Sequence, residues 1–199
     1  MNIVSRGLLA LASLLLILTY FFPLWKIELL APQYPEGLRM FIWVNKITGG
    51  TEFDLNNINL LNHYIGMKPI EPDSIPELKI LPFILGFLIA FGLVSALLGK
   101  RILLYAWVLS FVILAILGLA DFYRWEYEYG HNLDPNAPIK IPGLSYQPPL
   151  IGTKQLLNIV ASSFPHVGSY IAGGALLLGI VAIIFDIKLS KFSVKVKSA

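Results

Sequence analysis

The sequence predicts an all-α membrane protein, a four-helix transmembrane bundle whose two long exterior loops form a small mixed cap. Three observations carry this. Of 199 residues 56% are hydrophobic and only 14% charged, with a mean hydropathy of +0.71. Soluble domains carry about 25% charged residues. Four runs, Gly7–Leu24, Ile80–Leu98, Ile102–Ala120 and Val167–Ile187, approach the roughly 20 apolar residues that cross a bilayer. No Asp, Glu, Lys, Arg or His sits in the middle of any run. The same composition excludes disorder, which needs low hydrophobicity and high charge. Cysteine is absent, which excludes disulfide frameworks, thiol relays, Cys-ligated zinc, iron–sulfur clusters and c-type haem attachment.

The first run follows Arg6 and ends in Tyr20-Phe21-Phe22-Pro23-Leu24-Trp25, with no small-x-small cleavage site. It reads as an uncleaved first span with Tyr20 and Trp25 at the interface. Gly99-Lys100-Arg101 alone separates the second and third runs, which therefore form a tight helical hairpin. Gly86–Ala90 and Gly92–Ala96 in the second span, and Gly173, Gly174 and Gly179 in the fourth, offer close-approach positions. They read as packing within one bundle. The whole chain, 1–199, reads as a single membrane domain with exterior segments at about 25–79 and 121–166.

Charge sets the expected orientation. Arg6, Lys100, Arg101, Lys188, Lys191, Lys195 and Lys197 lie on one side with the single acid Asp186. The other side holds eight basic and eleven acidic residues. The positive-inside rule makes the basic side cytoplasmic, with both termini inside and both long segments periplasmic or exterior. The expected site is the inner (cytoplasmic) membrane. The tail Lys191–Lys197 reads first as a topology determinant and second as a contact for anionic lipid headgroups. Nothing points to nucleic acid as a partner.

In the first exterior segment Arg39-Met40-Phe41-Ile42-Trp43-Val44 favours a strand, and Gly49-Gly50 a turn. Asp54 starts a short helix running to about Tyr64, which Gly66 ends. In the second segment, residues 121–129 extend the third helix beyond the bilayer, with Arg124 paired to Glu128, and Gly130 stops it. Thr153–Phe164 reads as a short amphipathic helix lying along the membrane surface.

Candidate chemistry collects on the exterior side. His63, His131 and His166 all lie there, as do Met40 and Met67. Imidazole suits copper, zinc, iron and nickel, and thioether sulfur favours Cu(I). His63 and Met67 are four residues apart, and His131 would approach from the other segment. These three are the candidate metal contacts. Structural histidines hydrogen-bonded within the cap, and contact with a partner, are the competing readings. His166, between Pro165 and the fourth span, reads as an interfacial anchor. A bis-histidine haem within the membrane, proton translocation, a P-loop and a dinucleotide fingerprint all lack their residues. Asp121, Glu126 and Glu128, interleaved with Tyr and Trp, read as a solvated helix end and not as acid–base groups. No catalytic set is visible, so the expectation is a non-enzymatic protein.

Four stretches carry a resemblance: Tyr34–Leu38, Leu61-Asn62-His63-Tyr64-Ile65-Gly66-Met67, Tyr129-Gly130-His131-Asn132-Leu133-Asp134-Pro135 and Tyr146–Gly152. They resemble a small four-span membrane-protein family associated with clade II nitrous-oxide-reductase gene clusters, and the likeness covers most of the chain. None of these stretches is a catalytic motif. The resemblance implies an accessory role beside a periplasmic copper enzyme, in partner binding, maturation, copper supply or electron supply, with copper as the possible cofactor. The alternative is a structural subunit or scaffold of a membrane complex, similar to claudins in its four spans and large first exterior loop but lacking their paired cysteines. Membrane lipids and a periplasmic or membrane protein are the expected partners.

Overall fold

The computed structural model describes residues 1–139, 141, 143 and 145–197, with side chains described through residue 189. Four helices are long and apolar enough to cross a membrane. Helix α1 (Ile3–Leu15) tightens into a 3₁₀ turn over Leu16–Tyr20. The others are α3 (Pro76–Leu98), α4 (Arg101–His131) and α5 (Val167–Lys197). In the bundle, α1 lies between α3 and α5, and α4 opposes it. The side chains of Lys191–Lys197, the tail read as a topology determinant and secondarily as a lipid-headgroup contact, lie outside the described ones.

Small residues let these helices approach, and Trp107 fills the space. Its ring is fully buried, and its indole N–H donates to the Leu88 carbonyl at 2.9 Å. A Cβ on Gly92 would come within 2.6 Å of the Trp107 nitrogen, and one on Gly179 within 2.6 Å of its ring carbons. The expected intramolecular packing therefore holds at Gly92 and Gly179. Gly173 has no neighbour within 4 Å of an added Cβ. At the basic end Arg6 donates to the carbonyls of Ala96 and Leu97 at 2.8 and 2.7 Å, capping α3. Buried Asp186 accepts from the Asn2 backbone at 2.9 Å and pairs with Arg101 at 2.5 Å. Those contacts tie α1, α4 and α5 together.

The cap is richer in strand than the sequence suggests. Five antiparallel strands form one sheet in the order β3-β2-β1-β5-β4. They are β1 (Trp25–Ala31), β2 (Tyr34–Ile42), β3 (Ile47–Gly49), β4 (Gly152–Leu156) and β5 (Ile159–Pro165). β1 leaves α1 almost directly and β5 runs straight into α5, and the two pair from Trp25↔Pro165 to Leu30↔Val160. The splice continues into the helix ends: His166 N–H donates to Leu24, and Gly168 N–H to Pro23, both at 2.8 Å. Any Cβ on Gly168 would meet the Phe22 carbonyl at 2.6 Å.

One sheet face is solvated and carries the Glu28–Arg39 and Glu28–Lys26 pairs at 2.8 and 3.0 Å. The other buries Trp25, Ile27, Leu38 and Met40 against α2 (Asp54–Ile65) and the far end of α4. That half-buried alternation is normal for an antiparallel sheet. The surface helix expected over Thr153–Phe164 is thus the β4–β5 hairpin. Its branched residues Ile159 and Val160 pair with Leu156 and Gln155. The first span ends at Tyr20, and the residues expected to complete it lead into the sheet.

At 31 residues, α4 is about 46 Å long, well beyond a hydrocarbon core of about 30 Å. Its apolar run ends at Ala120, so the last eleven residues stand in the cap, as expected. Arg124 pairs with Asp121 at 2.6 Å and reaches Glu77 at 3.5 Å in place of the expected Glu128. The helix also continues past Gly130 to His131.

Replacing Gly92 or Gly179 by Val should lower the thermal midpoint in detergent, a loss on the order of 2 kcal/mol for overpacking against Trp107. Gly173→Val should leave the midpoint unchanged. Equal midpoints for all three variants would refute this packing.

Candidate functional site

Two sites meet inside the cap, and the geometry of α4 explains their difference. At 3.6 residues per turn, Phe122, Trp125, Glu126 and Tyr129 fall on one side of the helix, while Tyr123, Tyr127 and His131 fall on another. The first set faces the sheet. Trp25 meets Phe122 edge-on with centroids 5.2 Å apart, and Trp125 lies 4.3 Å from Tyr129. The second set is exposed, with the His131 ring stacked on Tyr127 at 4.0 Å.

An open cleft of about 450 Å³ lies between the end of α2 and the chain beyond α4. His63, Met67 and Lys68 line it from the first exterior segment, and Asn132 and Asp134 from the second. Gly66 makes the junction possible. It closes α2 in the left-handed conformation at φ +79°, which favours glycine. Its carbonyl accepts from Asp134 N–H at 2.8 Å, and a Cβ there would strike Ala137 at 2.9 Å. His63 and Met67 are thus brought to one cleft. His131 is not among its lining residues, and its Nδ1 lies 3.0 Å from the Tyr127 carbonyl. Among the described residues, no three His, Cys, Asp or Glu side chains gather where they would hold a metal ion. His166 sits at the foot of α5, its ring edge-on to Phe41 with centroids 5.3 Å apart.

Behind the cleft is a cavity of about 60 Å³, walled by the sheet, α2, α4 and the stretch at Tyr146–Pro148. Met67 lines both spaces and so stands between them. The cavity is almost wholly apolar, with Ile27, Met40, Ile58 and Leu61 among its walls. Two of the residues around it carry polar groups without any hydrogen-bond partner among the described residues, and these groups present almost no surface to the space. They are both carboxyl oxygens of Glu126, which is 0% exposed, and the hydroxyl of Tyr146, which is 4% exposed. Tyr146 arrives there because Gly130 carries no side chain. Tyr146 N–H donates to the Gly130 carbonyl at 2.9 Å, and a Cβ on Gly130 would collide with the Gln147 backbone.

Asp54, the other buried acid of the cap, shows what a satisfied carboxylate looks like. It accepts from Arg39 and Gly50 backbone N–H at 3.0 and 3.2 Å and from the Thr51 hydroxyl. Burial pushes its pKa up, but these hydrogen bonds outweigh burial and hold it below the usual carboxylate range. Glu126 has no such donors, and burial alone pushes its pKa up to about 8. Burial therefore favours the neutral carboxylic acid at Glu126, and the expected solvated helix end is corrected at this residue. Its signal in the sequence is the 3.6-residue spacing that puts it with Phe122, Trp125 and Tyr129.

A carboxyl that binds its proton more tightly when folded makes stability fall as pH rises. Between about 4.5, the ordinary value, and about 8, the unfolded chain binds fewer protons than the folded one. The full contribution is present below pH 4.5 and is lost progressively up to pH 8, on the order of 5 kcal/mol. Thermal melts followed by tryptophan fluorescence should show the midpoint falling between pH 5 and 8. Glu126→Gln should flatten that slope while preserving the fold. An unchanged slope in the variant would contradict the assignment.

No family model matches the chain, and no curated protein matches it.

Proposed function

We propose that the chain is a non-catalytic accessory protein of the inner membrane, with both termini cytoplasmic and the cap periplasmic. Its cap binds a partner protein of a copper-dependent respiratory system, as the resemblance to the nitrous-oxide-reductase-associated family implies. The role is partner binding coupled to maturation, copper supply or electron supply. The supporting observation is the open cleft built jointly by both long segments around His63 and Met67. Next to it, the outward side of α2 exposes Leu60, His63 and Tyr64, and Phe53 stands exposed just before the helix. Aromatic residues and methionine are enriched at protein-binding surfaces relative to the rest of a protein's surface. Lipids surround the four spans, and no nucleic-acid contact is proposed.

Copper fits this cleft as a transfer contact and not as a closed resident site. One imidazole and one thioether suit Cu(I), and two donors leave positions for ligands from a partner. His63 and Met67 would hold the ion. His131, stacked on Tyr127, would join only if its ring left that stack. The scaffold reading is supported by the same exposed apolar residues but requires no metal.

Anaerobic Cu(I) competition titration separates the two. Replacing His63 and Met67 together by Ala should weaken Cu(I) binding at least tenfold, with circular dichroism unchanged. Equal affinity in both proteins, or no binding by either, would remove copper and leave the scaffold reading.

A further inference from the structure

The inner cavity has a chemical bias that the copper proposal does not use. Besides aliphatic residues and the carboxamide of Asn62, whose N–H₂ donates to the Lys68 carbonyl at 3.4 Å, its lining residues are Glu126, the aromatic Trp125, Tyr129 and Tyr146, and Met40 and Met67. Among the described residues that line it there is no Lys, Arg, His or Asp from the sheet, α2, α4 or the Tyr146 stretch. Among the described residues that line the cavity, Tyr129 and Tyr146 are the titratable side chains besides Glu126. Tyr129 directs its hydroxyl to the Pro69 carbonyl at 3.2 Å, which leaves Glu126 and Tyr146 as the unpartnered polar groups.

We propose that this cavity is a binding site for a small methylated ammonium ion, with Glu126 as its counter-ion and Trp125, Tyr129 and Tyr146 as its aromatic walls. Three features select that class. Aromatic faces attract a spread, weakly hydrated cation, most strongly when both are desolvated. A carboxyl with both oxygens unpartnered accepts an ammonium N–H without displacing any existing protein bond. A cavity of about 60 Å³ also fits the size, since one water needs about 10 to 15 Å³ on this measure. Room for roughly four or five water-sized groups matches trimethylammonium, with one nitrogen and three methyl carbons. A metal ion is disfavoured, because it needs several donors converging at short range.

Charge balances through one proton. The ammonium enters as a cation, Glu126 gives its carboxyl proton to solvent, and the product is a neutral buried ion pair. Binding at pH 7 should therefore release close to one proton per cation. Met67, which lines both the cavity and the open cleft, stands where an entering ion would pass from one to the other. A trimethylated ammonium head occurs in protonated free amines, which can donate an N–H to Glu126, and in choline lipid headgroups, which are quaternary and would pair with it by charge alone, so the two sources need separate arms.

This site is independent of the copper reading, and the test keeps them apart. Purified full-length protein is titrated with trimethylammonium chloride by calorimetry in two buffers of different ionisation heat. The expected result is saturable binding in the millimolar range or tighter, with the buffer difference reporting proton release. Glu126→Gln should weaken binding at least tenfold, and Ile65→Phe, which narrows the cavity, should weaken it as well. His63→Ala, which alters only the open cleft, should leave it unchanged. Tryptophan fluorescence checks that each variant is folded. In nanodiscs, competition by choline lipids but not by phosphatidylglycerol would assign the headgroup as the natural source. No competition would assign a free amine. Absence of saturable binding, or binding that survives both Glu126→Gln and Ile65→Phe, would overturn the proposal. Binding lost in His63→Ala but kept in Glu126→Gln would place the ion in the open cleft and also overturn it.

Discussion

The antiparallel pairing of β1 with β5 is the constraint on which the cap depends. These strands come from opposite ends of the chain, yet each is a near-direct continuation of a membrane helix. Because α1 and α5 are neighbours in the bundle, their strand extensions emerge side by side and pair at once. Loop closure over so long a separation would be costly in solution. Here the helix pair has already brought the ends together, so the sheet begins at a fixed register. Backbone hydrogen bonds at Leu24, Pro23 and His166 carry that register across the interface. Trp25 then locks the pair from the inside by donating to Ser163 at 2.7 Å. The bundle and the cap are consequently one mechanical unit.

With the sheet fixed, the remaining parts have one place to go. The buried face of the sheet needs a cover, and α2 with the overlong end of α4 supplies it. Closely packed cores leave few spaces larger than a water molecule. The cavity at Glu126 is therefore a notable departure, and so is its chemistry. Leaving a buried carboxyl without partners costs free energy that nearby donors would have recovered, as they do at Asp54. The protein holds that cost in one place, behind Met67, directly inward from the cleft that both loops build. An uncompensated acid in a cavity is a common mark of a functional site, more telling than surface charge. The outer cleft and the inner cavity share Met67 but differ in chemistry. One offers imidazole and thioether to solvent, and the other offers a carboxyl and aromatic rings to whatever is desolvated.

Much of this was legible in the residues, and the exceptions have physical reasons. Uninterrupted apolar runs located all four membrane helices, because lipid forces every backbone group to be satisfied within a helix. Gly66 marked the end of α2, and the aromatic helix end after Ala120 marked an extension into the cap. The β4–β5 hairpin was hidden because its turn breaks the usual rule. Leu157 takes φ +57°, where Asn or Gly is the normal signal, and Leu156, Leu157 and Val160 also fit a helical face. β1 was hidden by its position: Trp25, Ile27 and Leu29 alternate with polar Lys26 and Glu28, but they follow an apolar span without a break. Gly130 looked like a helix stop, whereas its missing side chain serves the approach of Gln147, a contact that no local pattern encodes. Glu126 was obscured by Glu128 two residues on. The two look alike in sequence, and only the direction in which α4 faces the sheet separates a buried acid from a solvated one.

Burial holds Glu126 toward its neutral form within the cap, and infrared spectroscopy reads that state directly. Protein labelled with ¹³C at glutamate carboxyls, held in nanodiscs at pH 7, should show the carbonyl band of a protonated carboxylic acid. That band should shift with the label, persist in Glu52→Gln and disappear in Glu126→Gln. A spectrum at pH 7 with only ionised glutamate carboxylates would contradict the account, because Glu126 would then be hydrated or paired and the cavity would not be the apolar space described above.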